Sequence, residues 1–174
     1  MIATFREFVE TIPEHEPKFN KLSDDQISKR GNLSHTLETD RFHVKAIDHN
    51  DGFRTYTVHD KATGEHVGTV EGQMLHKGKT FRAEEVTKDR TSHPQMMHEV
   101  YNAILNNGTS MMSSGSISKK AHKIWERLHS EDRPVRLVKD GNIVPNSSPD
   151  WKKHVQKPTL KNIENPTVYF VKAK

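Results

Sequence analysis

The chain has 174 residues, 32% of them apolar, with no cysteine and a formal net charge of +4. That length holds one ordinary domain, and the low apolar share implies a small core with part of the chain outside it. Disulfide scaffolds, cysteine-ligated zinc or iron–sulfur sites and thiol nucleophiles are excluded; no apolar run suits a membrane-spanning helix, and no secretory signal pattern opens the sequence.

The first thirty-one residues read as an extension ahead of a domain over residues 32–174. In MIATFREFVE, Ile2, Phe5, Phe8 and Val9 fall at helical spacing. Two prolines in TIPEHEP end that stretch. Ser23 reads as the N-cap of a short helix through Ile27, and Gly31 as its stop.

From residue 42 the hydrophobic period becomes two. FHVKAI, FRTYTVHD (53–60), HVGTVEGQML (66–75) and TFRAEEV (80–86) read as four successive strands. Gly64 turns the second into the third, and Lys77-Gly78-Lys79 turns the third into the fourth. The period then becomes helical: Met97, Val100, Tyr101, Ile104 and Leu105 share one face, with Pro94 suited to the first turn and Gly108 to the stop. TSMMSSG reads as a strand. SISKKAHKIWERLHSED reads as a helix capped by Ser118, with Ala121, Ile124, Trp125 and Leu128 on its buried face. PVRLV and TVYFVKA are strands on either side of a long loop at 140–166. The order predicts an α+β fold with a mostly antiparallel sheet and a parallel pair where a helix crosses over.

This order, and two segments in particular, resemble the GNAT acetyltransferase superfamily. EEVTKDRTSHPQMMHEVYNAIL is similar to the family's central strand, cofactor loop and following helix, with Val86, Arg90 and the Val100–Tyr101 pair at fitting positions. SMMSSGSISKKAHKIWERL is similar to its next strand and helix, with Ser118, Ala121 and Trp125 matching. The resemblance implies a GNAT-like sheet flanked by helices and transfer of an acetyl group from acetyl-CoA to an amine. It implies that Val86, Arg90, Thr91, Ser92, Gln95 and Met96 bind the cofactor and that Glu84 or Glu85 removes the amine proton. Helix N-termini favour phosphate through their open N–H groups and dipole. Strand alternation would let at most one of the two glutamates face the cleft. The loop Arg90–Gln95 carries no glycine, Pro94 removes one N–H donor, and Trp125 stands where the family often has an acidic tyrosine. Those departures keep open a second reading, a non-catalytic GNAT-like protein that binds a host factor or nucleic acid.

MIATFREFVE also resembles the capsid-targeting peptides of large tailed bacteriophages, through Thr4, Phe5, Glu7, Phe8, Val9 and Glu10. That likeness implies a protein of the host cytoplasm, packaged in a virion. The mild basicity suits an anionic partner without demanding one. Trp151, Lys152, Lys153, His154, Lys157 and Lys161 mix an aromatic with basic residues, either a nucleic-acid contact or a solvated loop. The twelve histidines read as polar surface, and His93/His98 and His122/His129 lack the spacing of a helical metal pair. No metal is expected.

Overall fold

A computed structural model describes residues 18–89, 93–115, 118–131, 133–145 and 167–174. They fall into two compact units, one of residues 18–112 with 172–174 and one of residues 113–171. The N-terminal peptide and the aromatic–basic stretch at 151–161 lie outside the described residues.

The first unit opens with α1 (Asp24–Ser28), followed by β1 (Asn32–Glu38), β2 (Phe42–Asp48), β3 (Phe53–Asp60), β4 (His66–Leu75) and β5 (Thr80–Lys88). Each strand pairs antiparallel with its successor. Helix α2 (Met96–Asn106) then leads to β6 (Ser110–Ser113), which lies beside β5. The Ser110 N–H donates to the carbonyl of Lys79 at 3.0 Å, so the start of β6 meets the start of β5 and the two run parallel. The crossover helix and the parallel pair are those the element order predicts.

Phe42, Val44, Tyr56, Val58, Val70 and Phe81 are fully buried. Tyr56 meets Phe81 edge to face, ring centroids 4.9 Å apart. Residues 54–59 of β3 are all buried, so this strand is covered on both faces. Arg54 is held there by a bidentate pair with Asp48, at 2.5 and 3.0 Å. Helix α2 buries Met97, Val100, Tyr101, Ile104 and Leu105, the face its spacing predicts, together with Met96. Gly108 follows at φ +87°, the left-handed conformation that glycine adopts without strain.

The second unit holds α3 (Lys119–Ser130), β7 (Val135–Lys139), β8 (Asn142–Ile143) and β9 (Thr167–Val171). β7 pairs antiparallel with both β8 and β9. Ser118 caps α3, accepting from the Ala121 N–H at 3.2 Å. Trp125 and Leu128 are buried as expected, and His122 joins them, its Nε2 3.2 Å from the Tyr169 hydroxyl. With five antiparallel strands in succession and separate helices, the protein is of the α+β class.

Four expectations need correction. β1 is a strand although nothing in its residues marks one. Ser34 sits at an irregularity in its pairing, and Leu37 alone is buried, so no alternation is visible. Gly31 does not stop α1 through a left-handed turn. Lys29 is the C-cap, and Gly31 matters because a Cβ would stand 2.4 Å from the Asp48 carbonyl oxygen. The stretch from residue 140 is not loop throughout, since β8 lies in it; its two residues are exposed. The histidines are not uniformly surface residues: His59, His66 and His122 are buried.

Candidate functional site

β5 carries the feature that sets the candidate site apart. Glu71 of β4 pairs with Glu85, and the next residue, Gly72, pairs with Ala83. Glu84 is therefore an extra residue on β5, a β-bulge. A bulge leaves its extra residue outside the ladder and bends the strand, and bulges concentrate beside active sites. It also breaks the strict alternation expected for Glu84 and Glu85: both are exposed.

The two carboxylates have different surroundings. Oε1 of Glu84 accepts from Nε and Nη2 of Arg82 at 3.0 and 2.7 Å, and the same Nη2 donates to Gln73 Oε1 at 2.9 Å. Glu85 lies opposite Glu71, which itself faces Arg30 at 3.4 Å. Like charges placed directly opposite on a ladder are unfavourable.

Past the bulge, Val86 is half-buried and pairs with Val70, and the Asp89 N–H still donates to the Val67 carbonyl at 2.9 Å. Gly68 pairs with Lys88 near the end of β5. A Cβ on Gly68 would meet the terminal methyls of Met96 and Met97 at 2.7 and 2.9 Å. The absent side chain thus lets the first turn of α2 settle onto β4, and this brings the end of β5 and the start of α2 together. Arg90, Thr91 and Ser92, the residues between them, lie outside the described residues.

Gln95 is the N-cap of α2, at φ +63°, and its side chain makes no capping hydrogen bond. Met96 is fully buried, so only its backbone is available to a ligand. The approach to the helix is fixed from the β1–β2 turn, β2 and β3. Arg41 donates to the Pro94 carbonyl at 3.0 Å and pairs with Glu99 at 2.8 Å. His93 contacts Asp60 at 3.2 Å and packs edge-on against Phe42, ring centroids 5.3 Å apart. Burial raises the pKa of Glu99, but hydrogen bonds from Thr39 and Arg41 outweigh it and hold the carboxyl below its usual range. Glu99 therefore stays ionised in the first turn, where it competes with an anionic ligand for the helix dipole.

The chain's three tyrosines, Tyr56, Tyr101 and Tyr169, are all buried. Burial raises the pKa of Tyr56 and Tyr101. Trp125 is 2% exposed. No phenol is placed to protonate a leaving group in solvent.

The bulge and the anchoring of the loop by Arg41, Asp60 and Phe42 had no signature in the sequence, because both depend on which strands meet. A recess of about 320 Å³ lies elsewhere in the first unit, lined by Asp24, Glu38, Lys45, His59 and Lys61 among others. Its charges neutralise one another: Lys61 meets Glu38 at 2.9 Å and Lys45 meets Asp24 at 3.2 Å. Among the described residues no group of three or more His, Asp or Glu could hold a metal, and no helix is long and apolar enough to cross a membrane.

No protein-family model matches the chain, and no curated protein sequence matches it. Among solved structures it is similar to the N-terminal domain of a ribosomal-protein-alanine acetyltransferase from Clostridium acetobutylicum, at 11% identity and a TM-score of 0.40, over 79% of this chain and 93% of that one. It is similar also to a Sphaerobacter thermophilus protein described as an acetyltransferase, at 7% identity and a TM-score of 0.44, over 81% of this chain and 99% of that one. At these identities and TM-scores the likeness gives no residue of this chain a role.

Proposed function

We propose that the chain is a GNAT-like N-acetyltransferase that moves an acetyl group from acetyl-CoA to an amine. The observation that carries this reading is the bulge at Glu84, on the strand that leads through the loop into α2. A residue released from the ladder has a backbone N–H to offer to a developing oxyanion. Acetyl-CoA would supply the activated thioester. Its pyrophosphate would take the N–H groups at the start of α2, where Gln95 leaves the first turn uncapped, together with Arg90 and the hydroxyls of Thr91 and Ser92.

Glu85 is the better base of the two carboxylates. Glu84 is engaged by Arg82, whereas Glu85 is exposed, across the ladder from Glu71, and open to an incoming amine. With every tyrosine buried, the departing thiolate must be protonated from water. A thiol of ordinary acidity, pKa about 8.5, leaves as an anion with little assistance near that pH. The amine acceptor carries the specificity, and the exposed loops that would read it are of variable sequence in any fold.

The second reading, a non-catalytic protein that binds a host factor or nucleic acid, is favoured by one observation: the absence of an accessible phenol. A phage setting, with the protein in the host cytoplasm or a virion, belongs to this proposal and rests on residues 1–10. Calorimetric titration with acetyl-CoA at low salt near pH 7.5 separates the readings. Micromolar affinity, abolished by Arg90→Ala without loss of stability, supports the transferase. No heat at millimolar acetyl-CoA overturns it.

A further inference from the structure

His66 opens β4 and is 3% exposed. Its Nδ1 accepts the backbone N–H of Leu22 at 3.0 Å. Its Nε2 lies 2.9 Å from the Gly68 carbonyl and 2.8 Å from the Thr69 hydroxyl. These partners fix the proton on Nε2, because Nδ1 must accept from an N–H and a carbonyl needs a donor. The ring is covered by Phe19, at 5.0 Å between centroids, and by His59 of β3, at 5.6 Å. Leu22 and Ile27 pack with Ile47 in a small apolar cluster of their own. The segment of residues 18–31 is therefore docked on the sheet by a hydrogen bond to an imidazole, one satellite core and three exposed ion pairs, Lys21–Glu65, Arg30–Glu71 and Asp24–Lys45.

Protonation of His66 converts Nδ1 from acceptor to donor. It then faces the Leu22 N–H as a second donor, and the bond is lost. The surroundings offer the new charge little. Lys21 and Arg30 from the docked segment, Lys45 and His43 from β2, and His59 from β3 all face this region as bases or cations; the carboxylate of Asp24 in α1 acts on His59 in the opposite sense. Lys21 is itself paired with Glu65, Arg30 with Glu71 and Lys45 with Asp24.

We propose that the His59–His66 pair is an acid-sensitive latch, and that protonation of His66 releases residues 18–31 from β4 while the β1–β5 sheet stays folded. Release uncovers Leu22, Ile27 and Ile47 and removes Asp24 from the wall of the polar recess. Burial, with the charge of His59 second, lowers the His66 pKa from 6.5 to about 4 in the docked form. Burial also lowers that of His59. A histidine whose docked pKa lies below its free value favours docking above the free value. That preference falls as pH drops from 6.5 towards 4 and is constant below it. Over that range the docking equilibrium shifts by up to about two orders of magnitude.

The test is amide hydrogen exchange on the full chain from pH 7 to pH 4, corrected for intrinsic rate, alongside the ring-nitrogen shifts of His66 by NMR. Protection of the Leu22 amide should fall in step with His66 protonation while the Val58 and Val70 amides stay protected. In His66→Asn, which keeps an acceptor near the Nδ1 position and cannot titrate, Leu22 protection should not change with pH. Should that variant fail to fold, the coincidence of the two wild-type titrations decides. Leu22 protection that persists after His66 has protonated overturns the latch. So does release at the same midpoint in His66→Asn, or loss of Leu22 and Val70 protection together.

Discussion

Gly72 lies so close to Arg82 that a Cβ on Gly72 would meet the Arg82 carbonyl oxygen at 1.9 Å. This contact sits beside the register shift that ejects Glu84 from the ladder. Backbone is the obstacle, so a side chain at Gly72 cannot be accommodated by a rotamer change. Gly72→Ala should cost more than about 2 kcal/mol, as overpacking against fixed atoms does. Chemical denaturation checks this. A variant as stable as the parent would mean that β4 and β5 do not approach as closely as this contact requires.

The two glutamates at the bulge should separate kinetically if the transferase reading holds. Glu85→Gln should lower kcat by about 100-fold, the scale of losing a general base, with little change in acetyl-CoA affinity. Glu84→Gln should have a much smaller effect, since Arg82 already occupies that carboxylate. Equal losses in both variants, measured at saturating acetyl-CoA and amine, would refute the assignment of Glu85.

Arg54 and Asp48 make a different prediction, for stability and its acid limb. Arg54 is 9% exposed. Burial opposes its charge, but the hydrogen bonds to Asp48 and Tyr56, with the charge of Asp48, together outweigh this and raise its pKa. Asp48→Asn leaves that guanidinium buried without its counter-ion. The expected cost is about 2 kcal/mol, below the cost of breaking a fully buried pair because Asp48 is partly open to water. The hydrogen bond from Arg54 holds Asp48 below its usual pKa of 3.8, so the stabilisation is complete above that value and is lost as pH falls through the lowered one. Stability curves of parent and variant should therefore converge at the acid end. A constant difference down to pH 2 would exclude the pair as its source.

Residues 1–10 invite a deletion. If they are a targeting peptide, removing them should leave the melting temperature unchanged within about 1 °C, whereas losing 1 kcal/mol from a domain of this size would shift it by a few degrees. A large drop would place those residues in the folded core.

What the sequence disclosed came from local rules. Met97, Val100, Tyr101, Ile104 and Leu105 announced α2 because a helix buries its stripe whatever it packs against. Ser23 and Ser118 announced helix starts because a cap is satisfied within its own turn. Gly64 and Gly78 marked turns that do require positive φ. What stayed hidden depended on partners distant in sequence. The bulge at Glu84 is a property of β4 against β5, and nothing in Ala83-Glu84-Glu85-Val86 distinguishes it from an ordinary strand. β1 is half of a pairing whose apolar contribution comes from β2. His66 could not be told from the other histidines, since its decisive partner is a backbone N–H forty-four positions away.

The succession β1 to β5 has a consequence for assembly. Each pairing in it joins neighbours in sequence, so each loop closed is short and its entropic cost small. The pairing of β7 with β9 must instead be closed across residues 140–166. Contacts between near neighbours form fastest. The meander, with the bulged strand as its last member, should therefore be in place early. Acid release of residues 18–31 would then detach a segment from a framework that can stand while it is gone.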